Sequence, residues 1–390
     1  MKIIPFHKPY IAEDDVSEVV ESLKSGWLTT GLKCVEFEKS FAEYIGCKHV
    51  VAVNSCTAAL HLALEAVGLK EGDVVITTPM TFAATAEVVR YFQAKPVFVD
   101  IEHDTMNIDV TQLQHVIDEL KANNEIVKAI IPVHFAGQPC EMDSIMEIAR
   151  RNDIKVVEDA AHILPGKYKD RSIGTIGDIT CFSFYATKNI TTGEGGMAVT
   201  NDDQWAERMR VMSLHGISKD AWKRYTAEGN WYYEIIAPGY KYNLTDIAAA
   251  LGIAQLRKAD FFQLRRSQIA DRYSEALKAL PQISIPTVLN DVQHSWHLYV
   301  IKLNLEHLDI DRNRFIEELK NMGIGVSVHF IPLHIHPYYR ELYSYEPTDF
   351  PVAFETYQRI ISLPIYPKMT DADVERVVKA VTDVAMKYRK

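Results

Sequence analysis

Between residues 49 and 161 the chain alternates short, nearly unbroken apolar runs with longer segments whose apolar residues return every three to four positions. HVVAVNS, DVVITTP, KPVFVDI, VKAIIPVHF and KVVEDAA read as strands. Because their apolar runs do not alternate with polar residues, these strands are expected to be covered on both faces. TAALHLALEAVG, AATAEVVRYF, TQLQHVIDELKAN and EMDSIMEIARRND carry the helical period between them. Spacings of this length predict βαβ units and a parallel sheet flanked by helices. DITCFSF and GGMAVT add two further strand-like runs.

The pattern changes after Gly239. Residues 246–280, DIAAALGIAQLRKADFFQLRRSQIADRYSEALKAL, read as one long, charge-laced helix ended by Pro281. WHLYVIKL is a strand, RNRFIEELKNMG a helix ending in Gly323, GVSVHF a strand, and DADVERVVKAVTDVAMKY a closing amphipathic helix. The expected organisation is a large α/β domain over 1–245 and a smaller C-terminal α+β domain over 246–390. The aromatic, irregular run at 222–243 reads as a long functional loop.

Composition narrows the function classes. The 390 residues hold 52 acidic and 42 basic side chains, a net charge of −10 that argues against wrapping nucleic acid. No apolar segment reaches the ~20 residues of a membrane span. The N-terminal MKIIPFHKPYIAEDD lacks the apolar core of a secretory signal, so a cytoplasmic location with no membrane partner is expected. Five scattered cysteines without C-x-x-C spacing suggest reduced thiols rather than a disulfide framework or a zinc ribbon.

In open α/β sheets the ligand lies beyond the carboxyl ends of the strands. Four features of the sequence fall there: Asp159 at the end of KVVEDAA, Ser183 and Lys188 after DITCFSF, Ser55-Cys56-Thr57 before the first helix, and Thr81-Phe82 after DVVITTP. A lysine and an aspartate so placed suit pyridoxal phosphate (PLP): the lysine makes a Schiff base and the aspartate keeps the pyridine nitrogen protonated. Cys56, Thr57 and Ser183 are candidates for a phosphate cradle at a helix N-terminus. Phe82 suits stacking on the ring, and His162 can reach its phenolic oxygen. Each residue has a plainer use as well: Asp159 as a cap or ion-pair member, Lys188 as solvated surface, Ser-Cys-Thr as an N-cap, Phe82 as core. TGEGG is not G-x-G-x-x-G and precedes a strand, so a dinucleotide fingerprint is unsupported. His334 and His336 share H-x-H spacing, but without a clear third ligand nearby they are a weak metal signal, and no metal is expected.

Taken together, VNSCTAALHLAL, PMTFAATAEVV, IIPVHFAGQP, VVEDAAH, FSFYATKNITTGEGGM, HGISKDAW and APGYKYNLTDIAAALG resemble the DegT/DnrJ/StrS family of sugar-nucleotide aminotransferases over essentially the whole chain. The resemblance implies the PLP-dependent transferase type I (aspartate aminotransferase-like) fold, with a mostly parallel seven-stranded sheet in the large domain. The 4-amino-4-deoxy-L-arabinose type looks nearest. The implied roles are Lys188 as the lysine bound to PLP, Asp159 on the pyridine nitrogen and His162 near the hydroxyl. Thr57, Ser183 and the Cys56 backbone would hold the phosphate, and Phe82 would stack. Asn243 would reach the partner's phosphate in a homodimer with shared active sites. Thr29, Tyr185, Lys219, Arg224 and His329 are the substrate-side candidates, with Lys223, Trp222 and Tyr225 beside them. Tyr185 and Cys56 depart from the family pattern, which often has His and Gly or Ala there. The expected reaction moves the amino group of L-glutamate to the 4-keto carbon of a UDP-, GDP- or dTDP-linked sugar. Transfer to a 3-keto sugar, a dehydratase of the same fold and a non-catalytic regulator are the alternatives.

Overall fold

In strand β1 (His49–Val53), Val50 and Ala52 enter one hydrophobic core while Val51 and Val53 enter another. The period of two that points side chains to opposite faces therefore lands on apolar residues both ways. The computed structural model describes residues 3–218 and 232–390. Strands β2 (Val74–Thr77), β3 (Lys95–Phe98), β4 (Val127–Ile130) and β5 (Lys155–Asp159) follow, then a short hairpin of β6 (Lys167–Tyr168) and β7 (Arg171–Ser172), then β8 (Ile179–Ser183) and β9 (Gly196–Thr200). The main sheet runs β1-β9-β8-β5-β4-β2-β3. β9 pairs antiparallel with β1 and β8, and the remaining pairs are parallel.

The helices that cover this sheet are α1 (Glu13–Ser25), α2 (Leu32–Ile45), α3 (Cys56–Ala66), α4 (Ala83–Arg90), α5 (Val110–Ala122), α6 (Met142–Asn152), α7 (Asp203–Ser213) and α8 (Asp246–Leu256). Side chains of α2, α5, α6 and α8 join one core, and those of α3, α4 and α7 join the other. Helix α3 is buried almost all round from Cys56 to Leu64. At about 1.5–3 kcal/mol for each fully buried large aliphatic or aromatic side chain, these two cores fix the strand ends in space.

The expected single helix over 246–280 is two. α8 stops at Leu256, and α9 spans Ala259–Leu277. The break follows from enclosure. Helix α8 is apolar on nearly every side and is wedged among α1, α2 and the sheet. Gln255 Nε2 donates to Asp15 Oδ1 at 2.9 Å, and Lys258 pairs with Asp14 and Asp15 of α1. The chain turns there because Lys258 reaches back to those carboxylates. From Ile269 on, α9 packs into a separate core around an antiparallel sheet. Of its neighbours β10 (Ile283–Ser284), β11 (Val292–Gln293), β12 (Tyr299–Leu303) and β13 (Ile360–Leu363), the sheet takes β10, β12 and β13, while β11 extends the β6–β7 hairpin. α10 (Arg312–Asn321), α11 (Pro337–Tyr343), α12 (Pro351–Arg359) and α13 (Asp371–Lys387) complete the fold. In α13 the buried positions Val374, Val377, Val381 and Val384 keep the helical stripe that the sequence shows. GVSVHF does not form a regular strand; Ser327 makes an isolated bridge to Ser362, and the Gly325 N–H donates to Ile4 O at 2.8 Å. The run is too short of backbone partners, since the β13 edge beside it is matched at Ser362 alone.

Helices α1 and α2, which the apolar pattern did not single out, matter for what lies between them. Gly31 offers α2 no side-chain cap. Asp246, from the first turn of α8, supplies one instead. Its carboxylate accepts from the N–H groups of Gly31 (2.7 Å), Cys34 (3.0 Å) and Lys33 (3.1 Å). Asn243 Nδ2 donates to Thr30 Oγ1 at 2.7 Å, and Thr30 Oγ1 to Leu244 O at 2.5 Å. These bonds lock SGWLTTG to YNLTD across more than 200 residues of sequence. Asp246→Ala strands three N–H groups and is expected to lower unfolding free energy by about 2–4 kcal/mol in denaturant titration. Arg257→Ala, which cuts exposed pairs with Glu18 and Glu36, is expected to cost less than about 1 kcal/mol.

Candidate active site

The carboxyl ends of β5 and β8 open onto a cavity of about 460 Å³. Asp159 is the last residue of β5 and is buried. Its Oδ2 accepts from Thr85 Oγ1 at 2.7 Å and its Oδ1 from the Ala161 N–H at 3.1 Å. Thr85 in turn sits 2.7 Å from the hydroxyl of Thr81, one helical turn earlier. With the Thr85 hydrogen given to the carboxylate, Thr81 is the donor in that second bond. The partners of Asp159 are thus hydroxyl and amide donors, and no lysine or arginine among the described residues pairs with it.

Ser55 caps α3 by accepting from the Ala58 N–H at 3.1 Å. Cys56 and Thr57, whose N–H groups lie in the first turn and have no helical acceptor, line the same cavity. Gly196 of β9 makes this possible: a Cβ there would lie 2.5 Å from the Ser55 carbonyl and 2.6 Å from the Cys56 nitrogen. Any side chain at that point would push the helix terminus away. The Cys56 thiol is pushed well above its ordinary range by burial and by Asp159, so it is packing rather than a nucleophile.

Lys188 reaches the cavity from a turn after β8, its N–H bonded to Tyr185 O at 2.9 Å. Burial of the amine lowers its pKa from 10.5 to about 8, with Asp159 and Cys56 pulling the other way. Asn189 pins the turn by donating to Leu164 O (2.8 Å) and Ser295 O (3.0 Å). Phe82 is 63 % exposed although it borders a core, so it is a wall of the cavity and not filling. Ser183, Tyr185, His162 and His329 line the same space. Burial, with Lys188, holds His162 and His329 neutral, His329 down at about 4. The His162 Nδ1 is buried without a partner.

Lys188, Asp159, Cys56, Thr57, Phe82, His162, Ser183, Tyr185 and His329 therefore converge as the sequence led us to expect. Asn243 and Thr29 do not line this cavity; Asn243 is bonded to Thr30 and Lys241, and Thr29 is exposed. Lys219, Trp222, Lys223, Arg224 and Tyr225 lie outside the described residues. His334 is buried against Phe350 with Nε2 3.3 Å from Pro347 O. Among the described residues no group of three His, Cys, Asp or Glu side chains is arranged to hold a metal. Thr85, Glu194, His297 and Phe330 are cavity or supporting residues that the sequence reading missed. Thr85 had a local signal, its four-residue spacing from Thr81. His297 and Phe330 had none, because they reach the cavity from segments more than 100 residues beyond Lys188.

The family model for the DegT/DnrJ/EryC1/StrS aminotransferases matches residues 9–382. The chain belongs to this family. The spore coat polysaccharide biosynthesis protein SpsC of Bacillus subtilis is 50% identical over 382 residues, covering 98% of this chain and 97% of that one. The Streptococcus pneumoniae protein Spr1654, solved in a PMP form, superposes with a TM-score of 0.91 at 35% identity, covering 98% of this chain and 99% of that one. Its PLP form is also solved. Helicobacter pylori PseC, an aminotransferase in pseudoaminic acid biosynthesis, superposes with a TM-score of 0.91 at 30% identity, covering 99% of this chain and 100% of that one. This chain is accordingly a DegT/DnrJ/EryC1/StrS aminotransferase of fold type I, with a mixed, mostly parallel seven-stranded sheet.

In this aminotransferase freed of any bound aldehyde, modification of Lys188 by an amine-directed reagent should have its midpoint near pH 8. Asp159→Asn removes the charge that favours the ammonium, so the midpoint should fall further. Peptide mapping by mass spectrometry across a pH series reads both.

Proposed function

We propose that this aminotransferase uses PLP to move the amino group of L-glutamate to the 4-keto carbon of a nucleotide-linked sugar. The acceptor is a UDP-4-keto-pentose or a 4-keto-6-deoxyhexose nucleotide, and the product feeds lipopolysaccharide or other surface glycans. One observation carries the reading: an amine lowered to about pKa 8 shares one cavity with a carboxylate that only neutral donors hold. The residues fit the cofactor. The Cys56 and Thr57 N–H groups and the Ser183 hydroxyl suit a phosphate. Asp159 suits the N–H of a protonated pyridine, Phe82 its face, and His162 its hydroxyl. The names of SpsC and PseC, both in glycan or sugar-acid biosynthesis, support a sugar acceptor.

When bound, PLP supplies a carbonyl that takes up amino groups and a ring that accepts an electron pair. Lys188, with a pKa near working pH, would take the proton from the α-carbon of glutamate and return it on the cofactor side. Asp159 holds the ring proton in place throughout. The neutral His162 and His329 and the ring of Phe330 exclude water from that transfer. Run in the opposite direction on a keto sugar, the same residues return the nitrogen, so that glutamate and keto sugar become 2-oxoglutarate and amino sugar. Asn243 and Thr29, turned away from this chain's cavity, are assigned to the partner's site in a homodimer. The 4-amino-4-deoxy-L-arabinose type is the branch we favour, and the location we assign is the cytoplasm. Among the described residues no helix is long and apolar enough to cross a membrane.

Purified protein supplied with PLP should be yellow and bleach on addition of L-glutamate. A panel of 4-keto and 3-keto sugar nucleotides should then restore the colour, the 4-keto compounds fastest. Failure of glutamate to bleach the protein overturns the reading. Lys188→Ala should keep the fold and lose multiple turnovers. Thr85→Val, which leaves Asp159 Oδ2 without its donor, should weaken PLP retention by about tenfold, equivalent to roughly 1.4 kcal/mol, read by dialysis against absorbance.

A further inference from the structure

The imidazole of His297 reaches the cavity from the segment that leads into β12, and the chemistry above does not use it. It is held on three sides. Its Nδ1 lies 3.2 Å from Asn189 Oδ1. The Asn189 amide nitrogen is already committed to two carbonyls, so Oδ1 is the atom that faces the ring and can only accept. His297 is therefore the Nδ1–H tautomer when neutral. Its own carbonyl and that of Trp296 accept from Arg266 Nη1 at 3.3 and 3.0 Å, and the same nitrogen bonds Ile365 O at 2.9 Å. Arg266 is fully buried on α9, and its Nε and Nη2 have no partner. Finally, Ser295 Oγ donates to His162 O at 2.7 Å, and Ser295 N to Gly137 O at 2.9 Å.

What this scaffold grips is His162. The His162 ring packs against three others: His297 at 4.4 Å and 41°, Phe330 at 5.6 Å and 22°, and Phe135 at 6.5 Å and 58°. With Nδ1 buried and unbonded, no hydrogen bond to that atom sets the plane of His162. Ring packing does it instead. Burial and the nearby charge of Lys188 keep both imidazoles neutral, with Arg266 adding to the effect at His297, so the ring pair carries no like-charge repulsion.

We propose that His297 is a positioning residue: with its backbone held through the Arg266 and Ser295 contacts, it fixes the ring of His162 against the cofactor by ring packing. This rests on the assignment of His162 to the cofactor site under the proposed function. The inference predicts that a flat ring at 297 suffices. His297→Phe should retain at least a third of wild-type kcat, while His297→Ala should lose tenfold or more, with the KM for glutamate within threefold of wild type. The absorbance–pH curve of the bound cofactor should shift in His297→Ala in the same direction as in His162→Ala. In the His162→Ala background, adding His297→Ala should change kcat by less than twofold, because the group it positions is gone. Thermal melts of all variants separate loss of fold from loss of position. The proposal is overturned if His297→Phe is as impaired as His297→Ala, if the two alanine effects multiply, or if the absorbance–pH curve stays fixed in His297→Ala. Bleaching of the wild-type protein by glutamate is measured alongside, so failure of the enzyme reading shows separately from failure of this one.

Discussion

An ammonium taken out of water loses much of its preference for the charged form, and the cavity of this aminotransferase imposes that loss on one side chain. Lys188 is held at a pKa of about 8 by burial, against the pull of Asp159. Neither group achieves this locally. The amine is enclosed because β8 and β5 end side by side at the same sheet edge, and because α3 is pressed so closely onto β9 that only glycine fits at 196. The two cores on either face of the sheet hold that edge rigid. A slip in strand register would part Asp159 from Lys188 and remove a charge that favours the ammonium.

Asp159 shows the same economy. A buried carboxylate paired with an arginine would be satisfied, and its acceptor capacity would be spent. Here Thr85 and the Ala161 N–H hold it, with Thr81 behind Thr85. Neutral donors orient the group while leaving its charge uncompensated, which is what a protonated ring nitrogen requires. On the opposite side, the segment from His294 to Leu298 runs from the core around α9, where Trp296 sits, to a cluster with Met80, Phe98 and Phe135, where Leu298 sits. It joins α9, through Arg266, to the backbone and ring of His162. His297, His329 and Phe330, all from the C-terminal part of the chain, are therefore part of the cavity wall.

Much of the site was legible because it sits at predictable places: strand ends of a parallel sheet and the first turn of a helix. Asp159, Lys188, Ser183, Cys56 and Thr57 were found this way, and Phe82 by its position after a strand. Thr85 was missed although a four-residue spacing marked it, since threonine in a helix has commoner uses. The single helix expected at 246–280 failed at Lys258, where contacts with Asp14 and Asp15, remote in sequence, turn the chain. GVSVHF has the composition of a strand but finds too few backbone partners to be one. Helices α1 and α2 went unread, and with them the role of Asp246 as a cap supplied from another helix.

By itself the sequence determined the alternation of buried strands and amphipathic helices, the edge at which a ligand must sit, and a set of motifs specific enough to name the family. Those properties are local or periodic, so they survive in one dimension. Tertiary structure alone decided that Asp159 is held by hydroxyl and amide donors, that burial lowers the pKa of Lys188, and that His297 and Phe330 reach the same cavity with Arg266 bonded to the backbone behind His297. Each of these depends on which distant atoms exclude water or supply a partner, and no spacing along the chain records that.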